Sequence, residues 1–178
     1  MKKEMLIAAA LLAAPFSTDA QVPYTGGAYT QDFNTLPRAG GRNTWENNKT
    51  LPGWHADFMT RENLPFFRAD SGGGSVGVAS YGSDGSADRA LGSRVSANSG
   101  DMALGFCLRN DTGATITSVT ISYDGEQWRE DGETPATLFF ACKVNGGLRT
   151  GTGGWTPVEK LNFTGPKTAA TARPIDGK

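Results

Sequence analysis

Glu126-Gln-Trp-Arg129 places a carboxylate, an indole and a guanidinium in one short stretch. An indole face can cover the apolar side of a sugar ring while flanking charged groups hydrogen-bond its hydroxyls. Trp54, in Leu51-Pro-Gly-Trp-His-Ala56, is a second aromatic beside a turn. Trp128, Glu126, Arg129 and Trp54 are therefore the candidate ligand-binding residues. The same residue types have a structural use that is commoner. Glu126 and Arg129 can pair and pin a corner, with Trp128 packed across a sheet edge. Trp45, Trp54 and Trp155 likewise suit a core or a rim.

Hydrolysis by paired carboxylates would use Glu126 with Asp124 or Asp131. It requires the two groups to face each other at about 5–10 Å across a cleft. His55 is the only histidine, so any Ser-His-Asp or Cys-His arrangement must use it. Its place near a turn, between aromatic neighbours, fits a half-buried loop histidine. No Gly-x-Ser-x-Gly elbow occurs. No catalytic residue is assigned. Asp70, Asp84, Asp88, Asp131 and Glu133 lie in loop-like stretches, and Ca²⁺ takes several oxygens from such loops. Asp84 and Asp88 are the candidate metal residues and Ca²⁺ the cofactor considered. Their spacing matches no EF-hand, and solvated acidic loops are the commoner explanation. Cys107 and Cys142 could form a disulfide in an oxidising compartment if their Cα atoms lie within about 7 Å. Two buried thiols in neighbouring strands fit as well.

These residues sit in a chain of 178 with net charge −1 and no basic block. That balance argues against nucleic acid as a partner. Lys2 and Lys3 precede the apolar run Met5–Ala14, and Thr18-Asp-Ala20 supplies small residues before a cut at Gln21. Residues 1–20 are expected to be a signal helix, removed on export. The run is too short to span a bilayer, which needs about 20 residues, and no second run follows. The mature chain, 21–178, reads as one domain, secreted or held at the cell surface. Sequons stand at Asn48, Asn110 and Asn162 and are treated as chance.

The 24 Gly and 9 Pro punctuate short runs rich in β-branched and aromatic residues. Strands are expected over Thr30–Leu36, Ser75–Tyr81, Met102–Leu108, Thr115–Tyr123, Thr137–Val144 and Val158–Phe163. In Thr115–Tyr123, the residues Val119, Ile121 and Tyr123 face inward. Thr137–Val144 is apolar on both faces at its start, as a central strand is. Asn110-Asp-Thr-Gly113 suits a hairpin turn. The fold class is all-β, an antiparallel β-sandwich of jelly-roll type.

A series of segments runs in order from Gln31 to Val144. It comprises Gln31-Asp-Phe-Asn-Thr-Leu-Pro37, Asn43-Thr-Trp45, Thr50-Leu-Pro-Gly-Trp54, Ser80-Tyr-Gly-Ser83 and Asp88-Arg-Ala-Leu-Gly-Ser93. Gly105–Asn110, Thr112–Thr117 and Ser122–Arg129 complete it. Together they resemble secreted bacterial proteins of the PEP-CTERM or otherwise surface-anchored kind, of unknown function. The resemblance implies an extracellular β-sandwich, exported and then anchored or released. It brings no catalytic residues. It also implies further strands and a sorting tail, so the domain is expected to be incomplete at its C-terminal end. The leading expectation is a non-catalytic extracellular or surface module that binds polysaccharide. A secreted carboxylate-dependent glycoside hydrolase and a structural matrix component are the alternatives.

Overall fold

The structure, a computed structural model, describes residues 2–7, 21–58, 66–74, 76–97, 99–145, 148 and 153–177. The chain is all-β. In order the strands are β1 (Lys2–Ile7), β2 (Val22–Tyr24), β3 (Trp54–Phe58), β4 (Arg68–Asp70), β5 (Gly77–Tyr81), β6 (Ala90–Arg94), β7 (Met102–Phe106) and β8 (Leu108–Asn110). They continue with β9 (Val119–Asp124), β10 (Arg129–Gly132), β11 (Thr137–Leu138), β12 (Ala141–Cys142), β13 (Thr156–Pro157), β14 (Phe163–Thr164) and β15 (Ala169–Pro174). A 3-10 turn covers Glu159–Leu161.

β4-β5-β6 form a three-stranded sheet, and the other ladders join strands in pairs: β1-β9, β2-β8, β3-β7, β10-β15, β11-β14 and β12-β13. Most pairs are antiparallel, but β2-β8 and β4-β5 are parallel. Gly72 and Gly74, at φ 92° and 101°, follow β4 in a left-handed backbone region that favours glycine.

The N-terminal segment departs from the expected helix. Lys2–Ile7 is extended and pairs along its length with β9, from Lys2 opposite Asp124 to Ile7 opposite Val119. β9 has no other strand partner among the described residues, so its edge amides and carbonyls favour an extended neighbour. Residues 8–20, with the rest of the apolar run and the cut site, lie outside the described residues.

Several strand expectations are corrected. Thr30–Leu36 is a turn. Gln31 Oε1 accepts the Phe33 N–H at 2.9 Å, Asp32 Oδ1 accepts the Asn34 N–H at 3.0 Å, and the Leu36 N–H closes on the Phe33 carbonyl at 2.9 Å. Such local bonds outcompete a ladder. Asn110–Gly113 does turn, but the flanking strands pair elsewhere, β8 with β2 and β9 with β1. Thr137–Val144 is not a central strand. It breaks into β11 and β12, and Phe139 between them is 79% exposed. Apolar type alone does not dictate burial there, because the partner strands β13 and β14 are themselves two residues long.

The largest core cluster joins two sheets. Leu36, Trp45, Leu51, Ala56, Phe67 and Val78 are buried, with Phe33, Trp54, Phe58, Leu91, Met102 and Leu104 against them. Ala56, Met102 and Leu104 come from β3-β7, while Val78 and Leu91 come from β5-β6. A second cluster packs Ile121 and Tyr123 of β9 and Phe140 and Cys142 onto Val158 and Leu161. A third holds Ala79, Tyr81 and Trp128.

Candidate functional site

The expected ligand-binding residues divide between two places. Glu126, Trp128 and Arg129 form one corner of the molecule; Trp54 lies with other aromatics on the β3-β7 sheet.

At the corner each side chain is already engaged. The Trp128 indole N–H donates to Glu126 Oε2 at 2.7 Å. Gln127 Nε2 donates to the Lys167 carbonyl at 2.7 Å, and the Lys167 N–H returns a bond to Gln127 Oε1 at 2.9 Å. Arg129 Nη1 donates to the Gly72 carbonyl at 3.0 Å. The Ile175 N–H donates to the Trp128 carbonyl at 3.1 Å, and Gly177 lies so close to the indole that a Cβ there would collide with it. Trp128 is thus 7% exposed. Its ring is a wall of the third core cluster, roofed by the chain after β15.

Asp131 accepts from Arg94 Nη2 at 2.9 Å and from Arg129 Nε at 3.4 Å. The hydrogen bond from Arg94, followed by that from Arg129, holds its carboxyl below the usual carboxylate range. A general acid needs the opposite shift. Arg94 also donates to the Gly74 carbonyl, so Arg94 and Arg129 together clamp the 72–74 loop. Glu130 is buried and paired with Arg173 across the β10-β15 ladder.

The second place is an aromatic ledge. Trp54 stands opposite Phe106 in the β3-β7 register, which aims both rings to one side. Tyr29 stacks on Phe106 at 4.3 Å with 23° between planes, and Trp54 lies 5.4 Å from Phe106. Trp54 Nε1 donates to the Tyr29 hydroxyl at 3.2 Å. Phe33 meets Trp54 edge-on at 4.8 Å, supporting it from below. Gly53, at φ 76°, lets the chain turn into β3; a Cβ there would meet Val22 at 2.5 Å and Phe106 at 2.8 Å. Tyr29 is 38% exposed and Trp54 and Phe106 are half-buried, so the ledge is open to solvent along Tyr29. Sequence reasoning misses Tyr29 and Phe106. Tyr29 lies in a Gly-rich stretch, and Phe106 shares one face of the expected strand Met102–Leu108 with Leu104 and Leu108.

The remaining candidates take structural places. His55 is buried in β3 opposite Gly105, not in a loop. Asp84 and Asp88 are exposed in the β5-β6 connection. Among the described residues no three His, Cys, Asp or Glu side chains come together as a metal site. Cys107 and Cys142 are not joined in a disulfide. Cys107 lies between β7 and β8, with its N–H on the Gly53 carbonyl at 2.9 Å, whereas Cys142 pairs with Thr156 of β13, so no ladder makes them neighbours. Trp45 is buried, and the half-buried Trp155 has Lys143 Nζ 5.9 Å from its ring centroid. All three sequon asparagines brace backbone. Asn48 Oδ1 accepts from Gly53 N–H at 2.8 Å, Asn110 Oδ1 from Thr112 N–H at 3.1 Å and Asn162 Oδ1 from Phe140 N–H at 2.8 Å.

Three of the ordered sequence segments meet at one buried cation. Arg89 is 4% exposed. Its Nε donates to Ser80 Oγ at 2.9 Å, and that hydroxyl donates onward to the Pro37 carbonyl at 2.8 Å. Its Nη2 bonds the Ser80 carbonyl and its Nη1 the Ser83 carbonyl at 3.2 Å, while its backbone N–H donates to Asn34 Oδ1 at 2.8 Å. Gly82 leaves room for the guanidinium, which a Cβ would strike. Burial lowers the Arg89 pKa from its ordinary value, and the Asp84 carboxylate pulls it back. Gln31–Pro37, Ser80–Ser83 and Asp88–Ser93 are therefore parts of one staple.

Among the described residues no helix is long and apolar enough to cross a membrane. Comparison with family models, with curated proteins and with solved structures gives no match.

Proposed function

We propose that this chain is an exported, non-catalytic module, secreted or held at the cell surface, that binds polysaccharide on the Tyr29–Trp54–Phe106 ledge. The observation that carries this reading is the open, tethered aromatic pair of Tyr29 and Trp54. A ring held in place by a neighbour loses little freedom on binding and offers a flat apolar face beside a hydroxyl. A sandwich of jelly-roll type is supported by the core cluster shared between β3-β7 and β5-β6. The carboxylate-dependent hydrolase reading gains no support at the corner, where Glu126 holds an indole N–H and Asp131 two guanidiniums. Ca²⁺ has no observation in its favour.

Affinity electrophoresis and pull-down against a panel of insoluble and soluble polysaccharides test the proposal. Tyr29→Ala is expected to weaken binding at least about tenfold, which is ~1.4 kcal/mol, while the fold persists. If the intact chain retains no polysaccharide, the structural matrix reading takes its place. Export is tested separately: N-terminal sequencing of protein recovered outside the cytoplasm should begin at Gln21.

A further inference from the structure

β9 is the strand whose ladder depends on the segment expected to be lost. Its pairing is with Lys2–Ile7, and no other strand joins it among the described residues. Strand edges are ordinarily guarded by lysine, proline, a bulge or an inward charge. Val119-Thr-Ile-Ser-Tyr123 has none of these, and the pairing with β1 shows no register shift. Its residues are β-branched, hydroxylic or aromatic, the types that favour strand pairing.

The strand is also self-complementary. Val119, Ile121 and Tyr123 are half-buried, Ile121 and Tyr123 against Val158 and Leu161, while Thr120, Ser122 and Asp124 are exposed. Laid antiparallel on a second copy about Ile121, the strand sets Val119 opposite Tyr123 and Thr120 opposite Ser122. Aromatic faces β-branched on one side and hydroxyl faces hydroxyl on the other, both favourable cross-strand pairs. Ile121 again faces one residue, as it faces Met5 in the β1 ladder, so the same edge amides are used. Asp124 falls beyond the paired core and meets no like charge.

We infer that Lys2–Ile7 caps the β9 edge, and that its removal turns β9 into the contact strand of an antiparallel homodimer centred on Ile121. This rests on the reading that residues 1–20 are removed on export. The contact is isologous, so it closes at two copies. One short edge buries less than the ~1,200 Å² of a standard interface, so the dimer is weak and concentration-dependent.

Sedimentation equilibrium over a range of concentrations tests this on three proteins. These are the full chain with its N-terminus intact, the same chain carrying Met5→Pro and Leu6→Pro, and the exported form as the cell processes it. Proline at two adjacent positions breaks the ladder whichever amide faces β9. The full chain is expected to stay monomeric. The proline variant and the processed form are expected to reach twice the monomer mass as concentration rises. Thr120→Lys with Ser122→Lys should return both to monomer, because the two-fold sets each lysine opposite one from the other copy. Monomers throughout, an equally dimeric full chain, or a dimer indifferent to the edge lysines would each overturn the inference. If sequencing shows the exported chain still begins at Met1, the reading of a removed leader fails, and the proline variant alone decides for or against the edge.

Discussion

Trp54 and Trp128 are both indoles with a satisfied N–H, yet one is open and the other sealed. The difference lies in the origin of the acceptor and in the course of the chain beyond it. Trp128 finds Glu126 two residues away, and the chain after β15 then lies across the ring. Trp54 reaches Tyr29, itself exposed on a loop, so the pair keeps a face to solvent. An indole beside a carboxylate and a guanidinium has the composition of a binding site, but those charges complete a corner. An indole beside plain aromatics looks like core and carries the accessible face.

The largest test of that contrast is stability. Trp128→Ala should cost ~3–5 kcal/mol in denaturant unfolding, since it empties a buried site and orphans Glu126. Tyr29→Ala should cost about 1 kcal/mol or less and act on binding instead. Equal losses for both would erase the distinction. Next is the staple. Arg89→Met should cost ~3 kcal/mol, and Arg89→Lys should recover little of it, because a compact ammonium cannot reach both Ser80 acceptors and the Ser83 carbonyl together. Full rescue by lysine in a thermal melt would mean that charge, not the planar fork, is what matters.

Titration sharpens the corner further. Burial, with the Asp70 carboxylate adding to it, raises Tyr81 from 10.0 to about 12. A phenol raised on folding contributes stability that is whole below its unfolded pKa and is lost as pH climbs through the folded one. Tyr81→Phe should therefore flatten the decline of unfolding free energy between pH 10 and about 12 and remove the highest phase of the ultraviolet titration. The smallest effect is at Asp131, whose lowered pKa runs the other way. Its contribution is present above the ordinary carboxyl value of ~3.9 and fades as pH falls through the folded value. Asp131→Asn should flatten only that acid limb in a pH-resolved melt; an unchanged limb would mean that Arg94 and Arg129 hold the 72–74 loop without it.

Legibility in the sequence tracks how one-sided each element is. β9 has one face toward Val158 and Leu161 and one in water, so its alternation is readable residue by residue. In β5 the alternation of Val76, Val78 and Ser80 marks the strand but not its setting, because Val78 to Tyr81 are buried on both faces. Thr30–Leu36 has strand composition, but Gln31 and Asp32 spend their side chains on turn amides. The ledge is half legible. Trp54 stands out by type, whereas Tyr29 and Phe106 join it only through the β3-β7 register and a loop that no local pattern encodes.

The ladders also set an order in time. β2 waits for β8, β3 for β7 and β10 for β15, whereas β5 and β6 are joined by the short connection 82–89. Loop closure must be completed before such distant pairings return any free energy, which places folding in the slow, millisecond-to-second class, about what all-β domains show. The β5-β6 hairpin can form while the chain is still short, and it carries Ser80 and positions Arg89 just ahead of β6. A chain emerging from a ribosome can therefore hold its staple before β3 meets β7, β2 meets β8 or β10 meets β15.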